Sequence, residues 1–342
     1  MTDVTTQADG TDALRAEIAR LDGPILVLGA SGFVGANLLQ ALLSVRRDVY
    51  GTASRKPAWR LEAIPDHHVH VVDLLIESNL DVMLSQVKPR TVFNCVAFGA
   101  YSFETESRLV YETNFSFLTR LLPKLQTLNI SSYVHAGSSS EYGDNCSGPT
   151  EDAGLQPNSH YAVSKAAAAG LISYYGRHLR LPCANLRLYS VYGPMEDASR
   201  LVPAVVRSGL NGTLPEFVRA DISRDYVYID DVVRAFVLTA TRLQPADYGV
   251  SLNIGTGRCV SMQEMAEVAR QVFGVTAAPR FTMAERQWDT ANWYAEAALA
   301  AQKIGWSAQV ELEQGLQLTA AWVKTLEEIE SWLNASKKQL SR

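Results

Sequence analysis

Short apolar stretches alternate with segments of helix length through the first half of the chain. Residues 24–29 form an apolar strand that leads into a glycine-rich turn and an apolar helix over 33–45. Further β-rich stretches, separated by helical segments such as 106–128, occur at 48–53, 69–73, 91–97 and 132–137. This alternation indicates a parallel sheet with helices on both faces. We therefore predict an α/β fold built on a doubly wound parallel sheet.

Beyond Arg187 the alternation of strands and helices is less regular, because prolines and glycines interrupt it. Strand and helix patterns return at 225–241 and 251–273, and residues 312–333 form a helical stretch. This pattern predicts a smaller α/β C-terminal lobe that binds substrate, interwoven with the sheet domain. The predicted boundaries are a flexible lead with one short amphipathic helix at 1–22, a sheet domain at 23–187 plus 225–258, and a substrate-binding lobe at 188–224 plus 259–335.

Composition narrows the class of protein. With 47% hydrophobic and 20% charged residues the chain is ordinary globular protein, and a net charge of -5 argues against a nucleic-acid or anionic-membrane partner. No apolar run is long enough to span a bilayer and no signal-peptide pattern is present, so we expect a cytoplasmic protein. The cysteines and the histidines at 67, 68 and 70 lack the spacing of a metal site, and we expect no metal.

The turn after the first strand carries three glycines in a GxxGxxG spacing. Between a strand and a helix, such glycines allow a tight turn, a close approach to a pyrophosphate and close helix packing. We therefore expect a Rossmann-type dinucleotide site in which the cofactor contacts Gly29, Ser31, Gly32, Phe33, Val34 and Gly35.

The end of the second strand bears on the choice of cofactor. No carboxylate is present there for the ribose 2′-hydroxyl of NAD, and Ser54, Arg55 and Lys56 could instead meet the 2′-phosphate of NADP. An exposed basic loop explains the same residues, so NAD or NADP is expected, with a lean towards NADP. Asp73, next to Leu74 at the end of the third strand, is a candidate partner of the adenine, although it could equally be a cap.

Tyr161 and Lys165 stand four residues apart on one face of a predicted helix. A nearby ammonium favours the tyrosinate and would lower the pKa of Tyr161 towards the working range of a general acid and base. Ser138, at the carboxyl end of a predicted central strand, would point into the crevice where such sheets bind ligands. This combination predicts hydride chemistry at a hydroxyl or keto carbon.

With these motifs the chain resembles the extended short-chain dehydrogenase/reductase family, in its nucleotide-sugar epimerase and dehydratase branch. The resemblance covers about residues 24–322 and includes NCVA at 94–97, LRLYSVYGP at 186–194, RDYVYIDD at 224–231 and NIGTG at 253–257. It implies Ser138, Tyr161 and Lys165 as the catalytic set, with Ser139 as the rival serine. The further residues that it implies are Leu74, Ala97, Asn114 and Ser190 for the cofactor, and Ser139, Ser140 and Arg224 for a nucleotide-diphosphate sugar.

The expected activity is that of an NAD(P)-dependent nucleotide-sugar epimerase or 4-ketoreductase. A 4,6-dehydratase is disfavoured, because elimination needs an acid pair after the catalytic hydroxyl and here Ser139 and Ser140 occupy those places, with Glu141 one step late. Two further hypotheses are a non-catalytic NADP sensor and a reductase of hydrophobic carbonyls. Relatives dimerise through the helices near 105–128 and 158–180, so a homodimer is expected.

Overall fold

The computed structural model describes residues 4–56, 58–100, 104, 106–283, 291–326 and 332–334. The strands are β1 Ile25–Leu28, β2 Val49–Ala53, β3 Val69–Val71, β4 Thr91–Asn94, β5 Ser132–Ser138, β6 Cys183–Leu188, β7 Ser190–Tyr192, β8 Glu216–Phe217, β9 Ser223–Arg224, β10 Tyr226–Tyr228, β11 Val250–Ile254, β12 Val260–Ser261 and β13 Arg280–Phe281. The helices are α1 Val4–Ala19, α2 Phe33–Leu43, α3 Glu77–Val87, α4 Ser107–Tyr111, α5 Phe117–Thr127, α6 His160–Leu179, α7 Leu201–Leu210, α8 Ile229–Arg242, α9 Met262–Phe273, α10 Ala298–Ile304 and α11 Leu312–Thr325.

The main sheet is parallel throughout, with the strand order β3-β2-β1-β4-β5-β6-β11. The order reverses between β1 and β4, which opens a crevice at the carboxyl ends of the strands, where such sheets bind ligands. The turn after β1, the loop after β4 and the end of β5 all face this crevice. The predicted α/β fold with a Rossmann-type doubly wound sheet is confirmed.

Alternate residues of the strands pack into two apolar layers. Ile25 and Val27 belong to the core on the side of α2 and α8, whereas Leu26 and Leu28 belong to the core on the side of α3, α5 and α6. The first core continues into the C-terminal part, where three short strand pairs form: β7 with β10, β9 with β12 and β8 with β13. The domain boundaries themselves stay a prediction.

The N-terminal lead differs from its prediction. Ile18 and Leu21, at the end of α1 and just beyond it, are buried in the core, and Glu17 forms an ion pair with Arg242 of α8 at 2.5 Å. These buried side chains and the ion pair attach α1 to the rest of the protein. The expectation of a flexible lead is therefore wrong for residues 12–22.

The last helical stretch is also shorter than predicted. The helix that starts at Leu312 ends at Thr325, because Leu326 has an extended backbone, and residues 327–331 lie outside the described part. Among the described residues, no helix combines the length and the apolar character that crossing a bilayer requires.

Candidate active site

The turn after β1 has the shape of a cradle for a phosphate. Gly29 has a φ of +74°, and a side-chain carbon at Gly35 would lie 2.3 Å from the Gly29 carbonyl oxygen, so neither position tolerates a side chain. Helix α2 begins at Phe33 without a side-chain cap, which leaves the amide groups of its first turn directed at the crevice. The turn therefore fits the pyrophosphate of a dinucleotide.

The end of β2 is more open. Thr52 supports the turn, because its hydroxyl accepts a hydrogen bond from the Gly29 amide at 3.0 Å, whereas Ser54 and Arg55 are exposed. Lys56 forms an ion pair with Asp66. The exposed Arg55 is thus the cation of this loop that is best placed for a ribose phosphate.

The predicted adenine partner lies at the surface near the same edge. Asp73 is two residues beyond the end of β3, and one of its carboxylate oxygens accepts the Leu75 amide at 3.0 Å, while Leu74 is buried. The bond to Leu75 is that of a turn cap, and it leaves the other carboxylate oxygen for a ligand.

Asn114 organises the loop after β4. Its amide group donates to the Phe98 carbonyl (2.7 Å) and to the Ser164 hydroxyl (2.9 Å), and its oxygen accepts the Phe98 amide (3.0 Å). It lies in a π-helical turn, Glu112–Ser116, between α4 and α5, a feature that is frequent at functional sites. Asn114 is 1% exposed and holds the loop that carries the exposed Ala97.

The three residues of the predicted catalytic set meet at the carboxyl edge of the sheet. Ser138 is the last residue of β5 and Tyr161 lies in the first turn of α6, and the two side chains are close enough that Ser138 lowers the pKa of Tyr161. The Lys165 ammonium lies 5.8 Å from the centre of the Tyr161 ring and donates to the Ala136 carbonyl at 2.9 Å. The structure therefore brings Ser138, Tyr161 and Lys165 together, and it places Ser138 rather than Ser139 against the tyrosine.

The electrostatics of this set differ from the prediction. Burial raises the pKa of Tyr161 to about 12, although the interaction with the Ser138 side chain and the charge of Arg200 act in the opposite direction. Burial also lowers the pKa of Lys165 to about 8. The expectation that Lys165 brings the pKa of Tyr161 into the working range is wrong for the polypeptide alone, because desolvation of the phenolate, together with the charges of Glu141 and Glu104, outweighs the groups that lower this pKa.

Glu141 directly follows the serines at 138–140 and is completely buried. Its carboxylate accepts the Ser138 amide (3.0 Å) and the Asn185 side-chain amide (3.1 Å), and it forms an ion pair with Arg187 at 2.7 Å. Gly137 makes room for this arrangement, since a side-chain carbon there would lie 2.6 Å from the Glu141 oxygen. Both oxygens of the Glu141 carboxylate thus accept hydrogen bonds from neighbouring groups of the protein.

Comparison with known proteins agrees with this geometry. The family model described as "NAD dependent epimerase/dehydratase family" matches residues 25–255. The chain belongs to the NAD-dependent epimerase/dehydratase family. The expected family and the expected class, an NAD-dependent enzyme of the extended short-chain dehydrogenase/reductase type, are confirmed.

Individual members of the family resemble this chain over nearly its whole length. A UDP-glucose 4-epimerase of Mycolicibacterium smegmatis is 28% identical, with 87% of this chain and 98% of the relative covered. The solved UDP-glucose 4-epimerase of Thermotoga maritima, with UDP-glucose, has a TM-score of 0.80 at 25% identity and covers 89% of this chain and 99% of its own. MoeE5 in complex with UDP-glucuronic acid and NAD has a TM-score of 0.77 at 28% identity, covering 88% and 99%.

The residues predicted for the substrate, and Ser190, predicted for the cofactor, lie after β5 and beyond β6. Ser139 is buried, and Ser140 accepts a hydrogen bond from the Ser138 hydroxyl at 2.9 Å. Arg224 is half-buried at the end of β9, with its guanidinium 5.5 Å from the centre of the Trp293 ring. Ser190 begins β7, and its amide donates to the Asp225 carbonyl.

Asp225, next to Arg224 in the chain, connects two loops. It is fully buried, and its carboxylate accepts hydrogen bonds from the amides of Thr256, Gly257 and Ala295 at 2.7 to 3.1 Å. Burial raises the pKa of this carboxyl, and these hydrogen bonds lower it. Asp225 therefore fixes the NIGTG loop to the segment that carries Trp293; Trp288 lies outside the described residues.

The histidines of the 67–70 stretch serve the fold. His68 is buried with its Nδ1 2.8 Å from the Val49 carbonyl oxygen, and His70 packs its ring against Tyr50. Within the described ranges, no group of three or more histidine, cysteine or acidic side chains is arranged to hold a metal ion.

Two residues that sequence reasoning assigned no role belong to the site. Arg187 donates to Glu141 and to the Tyr142 hydroxyl (2.7 Å), and Asn185 donates to Glu141. Arg187 lies inside the LRLYSVYGP stretch, so a signal was present, but its pairing with Glu141 depends on the register of β5 against β6, where Gly137 faces Arg187.

Proposed function

We propose that the chain is a nucleotide-sugar 4-epimerase, with Tyr161 as the acid and base. The observation that carries the proposal is the contact of Tyr161 with Ser138 beside Lys165 at the mouth of the dinucleotide crevice. The family match and the relatives named UDP-glucose 4-epimerase support the same activity.

The glycine turn fits a dinucleotide, since Gly29 and Gly35 leave the space that its pyrophosphate needs and the start of α2 offers backbone donors. When bound, NAD supplies the nicotinamide ring that takes a hydride from the sugar carbon and gives it back. Its positive charge favours the phenolate of Tyr161, which acts against the effect of burial.

The side chains of the chain move the proton. Tyr161 accepts the proton of the sugar 4-hydroxyl as the C4–H bond breaks, and Ser138 donates a hydrogen bond that orients the same oxygen. Tyr161 then returns its proton to the 4-keto oxygen when the hydride comes back to the opposite face. Lys165, fixed by the Ala136 carbonyl, holds the cofactor ribose, and Arg224 meets the diphosphate, where its fork of donors fits two oxygens.

A dehydratase needs a further acid and base near C5 and C6. Ser139 and Ser140 cannot supply them, and the Glu141 carboxylate is committed to Arg187 and to the Ser138 amide. A 4-ketoreductase is the second candidate, because the end of β2 lacks a carboxylate and exposes Arg55, as suits NADP.

The test is incubation of the purified protein with UDP-glucose and NAD, without added reductant, with products followed by NMR. Epimerisation at C4 without net change in reduced nicotinamide supports the proposal. Stoichiometric consumption of NADPH with a 4-ketosugar, and no interconversion of epimers, would make the chain a reductase. Parallel assays with GDP-, CDP- and dTDP-sugars identify the preferred nucleotide.

The homodimer and the cytoplasmic location stay predictions. Helices α5 and α6 lie on the same face of the sheet, and α6 exposes Val163 and Tyr174. A second copy packed on this face would cover both side chains. Light scattering of the wild type and of Val163→Arg tests this dimer: the wild type should be dimeric and the variant monomeric.

A further inference from the structure

The segment 193–200, which leads from β7 to α7, is held at three consecutive backbone carbonyls. The donors come from α2, from the loop after β2 and from the C-terminal region: Asn37 Nδ2 to Pro194 O (3.1 Å), Arg60 Nε to Met195 O (2.7 Å) and Trp332 Nε1 to Glu196 O (3.0 Å). The three donors come from distant parts of the chain and bind three successive carbonyls. Together they fix the backbone path of residues 194–196.

The backbone of this segment would not take its conformation unaided. Met195 has a φ of 67°, in the left-handed region that residues with a side chain rarely occupy. Arg60 and Trp332 are each only 4% exposed, so both donors act away from solvent, and Arg60 also stacks on Trp59 at 4.4 Å. The three bonds therefore stabilise a strained turn.

The turn continues directly to Arg200. Asp197, 1% exposed, accepts the Ser199 amide (2.9 Å) and hydroxyl (2.6 Å), and its own carbonyl accepts the Arg200 amide (3.0 Å). This compact turn sets the point at which the Arg200 side chain leaves the backbone.

Arg200 contacts the loop after β4, which lies next to Tyr161. Its guanidinium donates to the Ala100 carbonyl at 3.2 Å, and the neighbouring Gly99 packs against the Tyr161 ring, where a side-chain carbon would lie 3.4 Å from Cδ2. Gly99 and Ala100 of the loop after β4 thus connect the Arg200 guanidinium to the edge of the Tyr161 ring.

We propose that residues 193–200 are a support for Tyr161: the three held carbonyls keep Arg200 beside the phenol, so that its charge stabilises the ionised form. The inference rests on the proposed function, in which Tyr161 is the acid and base. Arg200 is a positioning residue, since it acts through Tyr161 and not on the substrate.

Several groups face Tyr161, from every element packed against it. They are Lys165 on α6, Ser138 and Glu141 from the end of β5, Glu104 from the loop after β4, and Arg200. Glu141 and Glu104 disfavour the phenolate and raise the pKa of Tyr161, whereas Arg200 and the Ser138 hydrogen bond lower it. Without the Arg200 charge, less remains to compensate the repulsion between the two carboxylates and the phenolate, so the pKa of Tyr161 should rise.

The experiment is a pH titration of Tyr161 by NMR in NAD-loaded protein that carries tyrosine labelled with ¹³C at Cζ; the Tyr161 signal is the one missing from Tyr161→Phe. We expect Arg200→Gln to raise the midpoint by roughly 0.5 to 1 unit, and Arg200→Lys to leave it near the wild-type value. Trp332→Phe, which keeps an aromatic side chain but loses the N–H donor, should move it the same way by less, and Trp322→Phe, the same change at its edge-on neighbour, should not.

An unchanged midpoint in Arg200→Gln, or an equal shift in Arg200→Lys, would overturn the proposal. Because the titration needs no turnover, it is separate from the fate of the proposed function, which fails if Tyr161→Phe stays active. The pH profile of kcat/KM gives a second reading: its rising limb should move to higher pH in Arg200→Gln. The two arginine variants decide the matter even if Trp332→Phe does not fold.

Discussion

The two ends of the dinucleotide crevice are built differently. At the reaction end, Ser138 is 8% and Lys165 1% exposed, and each is tied by hydrogen bonds to backbone or neighbouring side chains. At the adenosine end, Ser54 and Arg55 are exposed, and the glycine turn is held by hydrogen bonds with the side chains of Thr52 and Arg60.

The difference shows where precision is required. Proton transfer depends on the position and the pKa of one phenol, and Ser138, Glu141 and Lys165 beside Tyr161 are buried. Recognition of a ribose hydroxyl or phosphate tolerates a more open, solvated loop. We therefore expect substitutions at the reaction end to cost far more than substitutions at the adenosine end.

The largest effect should come from Tyr161→Phe. The change removes the hydroxyl that moves the proton, so kcat should fall by roughly a hundredfold to ten-thousandfold while NAD still binds. Steady-state kinetics and a fluorescence titration of NAD measure the two quantities. Tyr174→Phe, an exposed tyrosine of the same helix, is the control and should retain full activity; an active Tyr161→Phe would remove the tyrosine from the mechanism.

Glu141→Gln should be the most destabilising of these changes. It leaves the Arg187 charge buried without its partner, which typically costs about 3 to 5 kcal/mol of unfolding free energy. Urea denaturation measures the loss. Glu311→Gln breaks an exposed ion pair with Arg258 and should cost less than about 1 kcal/mol. Equal losses in the two variants would mean that the buried pair contributes no more than a surface pair.

Lys165→Met should change how stability depends on pH. The pKa of Lys165 is lowered from 10.5 to about 8 by burial, so between these values the native lysine loses a proton that the unfolded chain keeps. The free energy of unfolding of the wild type should therefore rise with pH across this window, by about 1 to 3 kcal/mol relative to Lys165→Met. Below pH 8 the difference should be constant.

The comparison cancels the buried tyrosines and cysteines that do not interact with Lys165; Cys95 does interact with it, and its pKa should rise further in Lys165→Met. Lys324→Met, at an exposed position of α11, is the matched control. A difference between wild type and Lys165→Met that stays flat through the window would show that burial does not perturb this lysine.

Ser54→Asp should have the smallest effect on catalysis and act on cofactor choice instead. A carboxylate at the end of β2 accepts the ribose hydroxyls of NAD and repels the 2′-phosphate of NADP, so the ratio of NAD to NADP affinity should rise about tenfold. Ser54→Asn, of the same size without the charge, should leave the ratio near that of the wild type. An equal change in both variants would show that the charge is not the cause, and no change in Ser54→Asp would show that the loop does not contact the ribose.

The sequence predicted the elements that depend on local pattern. Alternating apolar strands and helices identified the sheet, and because the carboxyl ends of parallel strands share one edge, Ser138 could be placed near Tyr161 from the sequence alone. The glycine turn was predictable for the same reason: the conformation of Gly29 and the close packing at Gly35 both require the absence of a side chain.

Properties that depend on three-dimensional packing were not predictable. The pKa of Tyr161 reflects a balance between burial and charges from three separate loops, and the sequence shows only the nearby Lys165. The ion pair of Glu141 with Arg187 depends on strand register, and the contact of Trp332 with the segment 193–200 joins distant parts of the chain. The position of α1 was not predictable either, because it depends on the ion pair of Glu17 with Arg242, a residue far away in the sequence.

The most direct test of the central claim uses UDP-glucose that carries deuterium at C4 of the sugar. If Tyr161 moves the hydroxyl proton while the hydride leaves and returns at C4, the product is the C4 epimer with its deuterium retained, and Tyr161→Phe forms almost none. Deuterium lost to water, deuterium moved to C6, or a labelled epimer formed equally well by Tyr161→Phe would contradict the account.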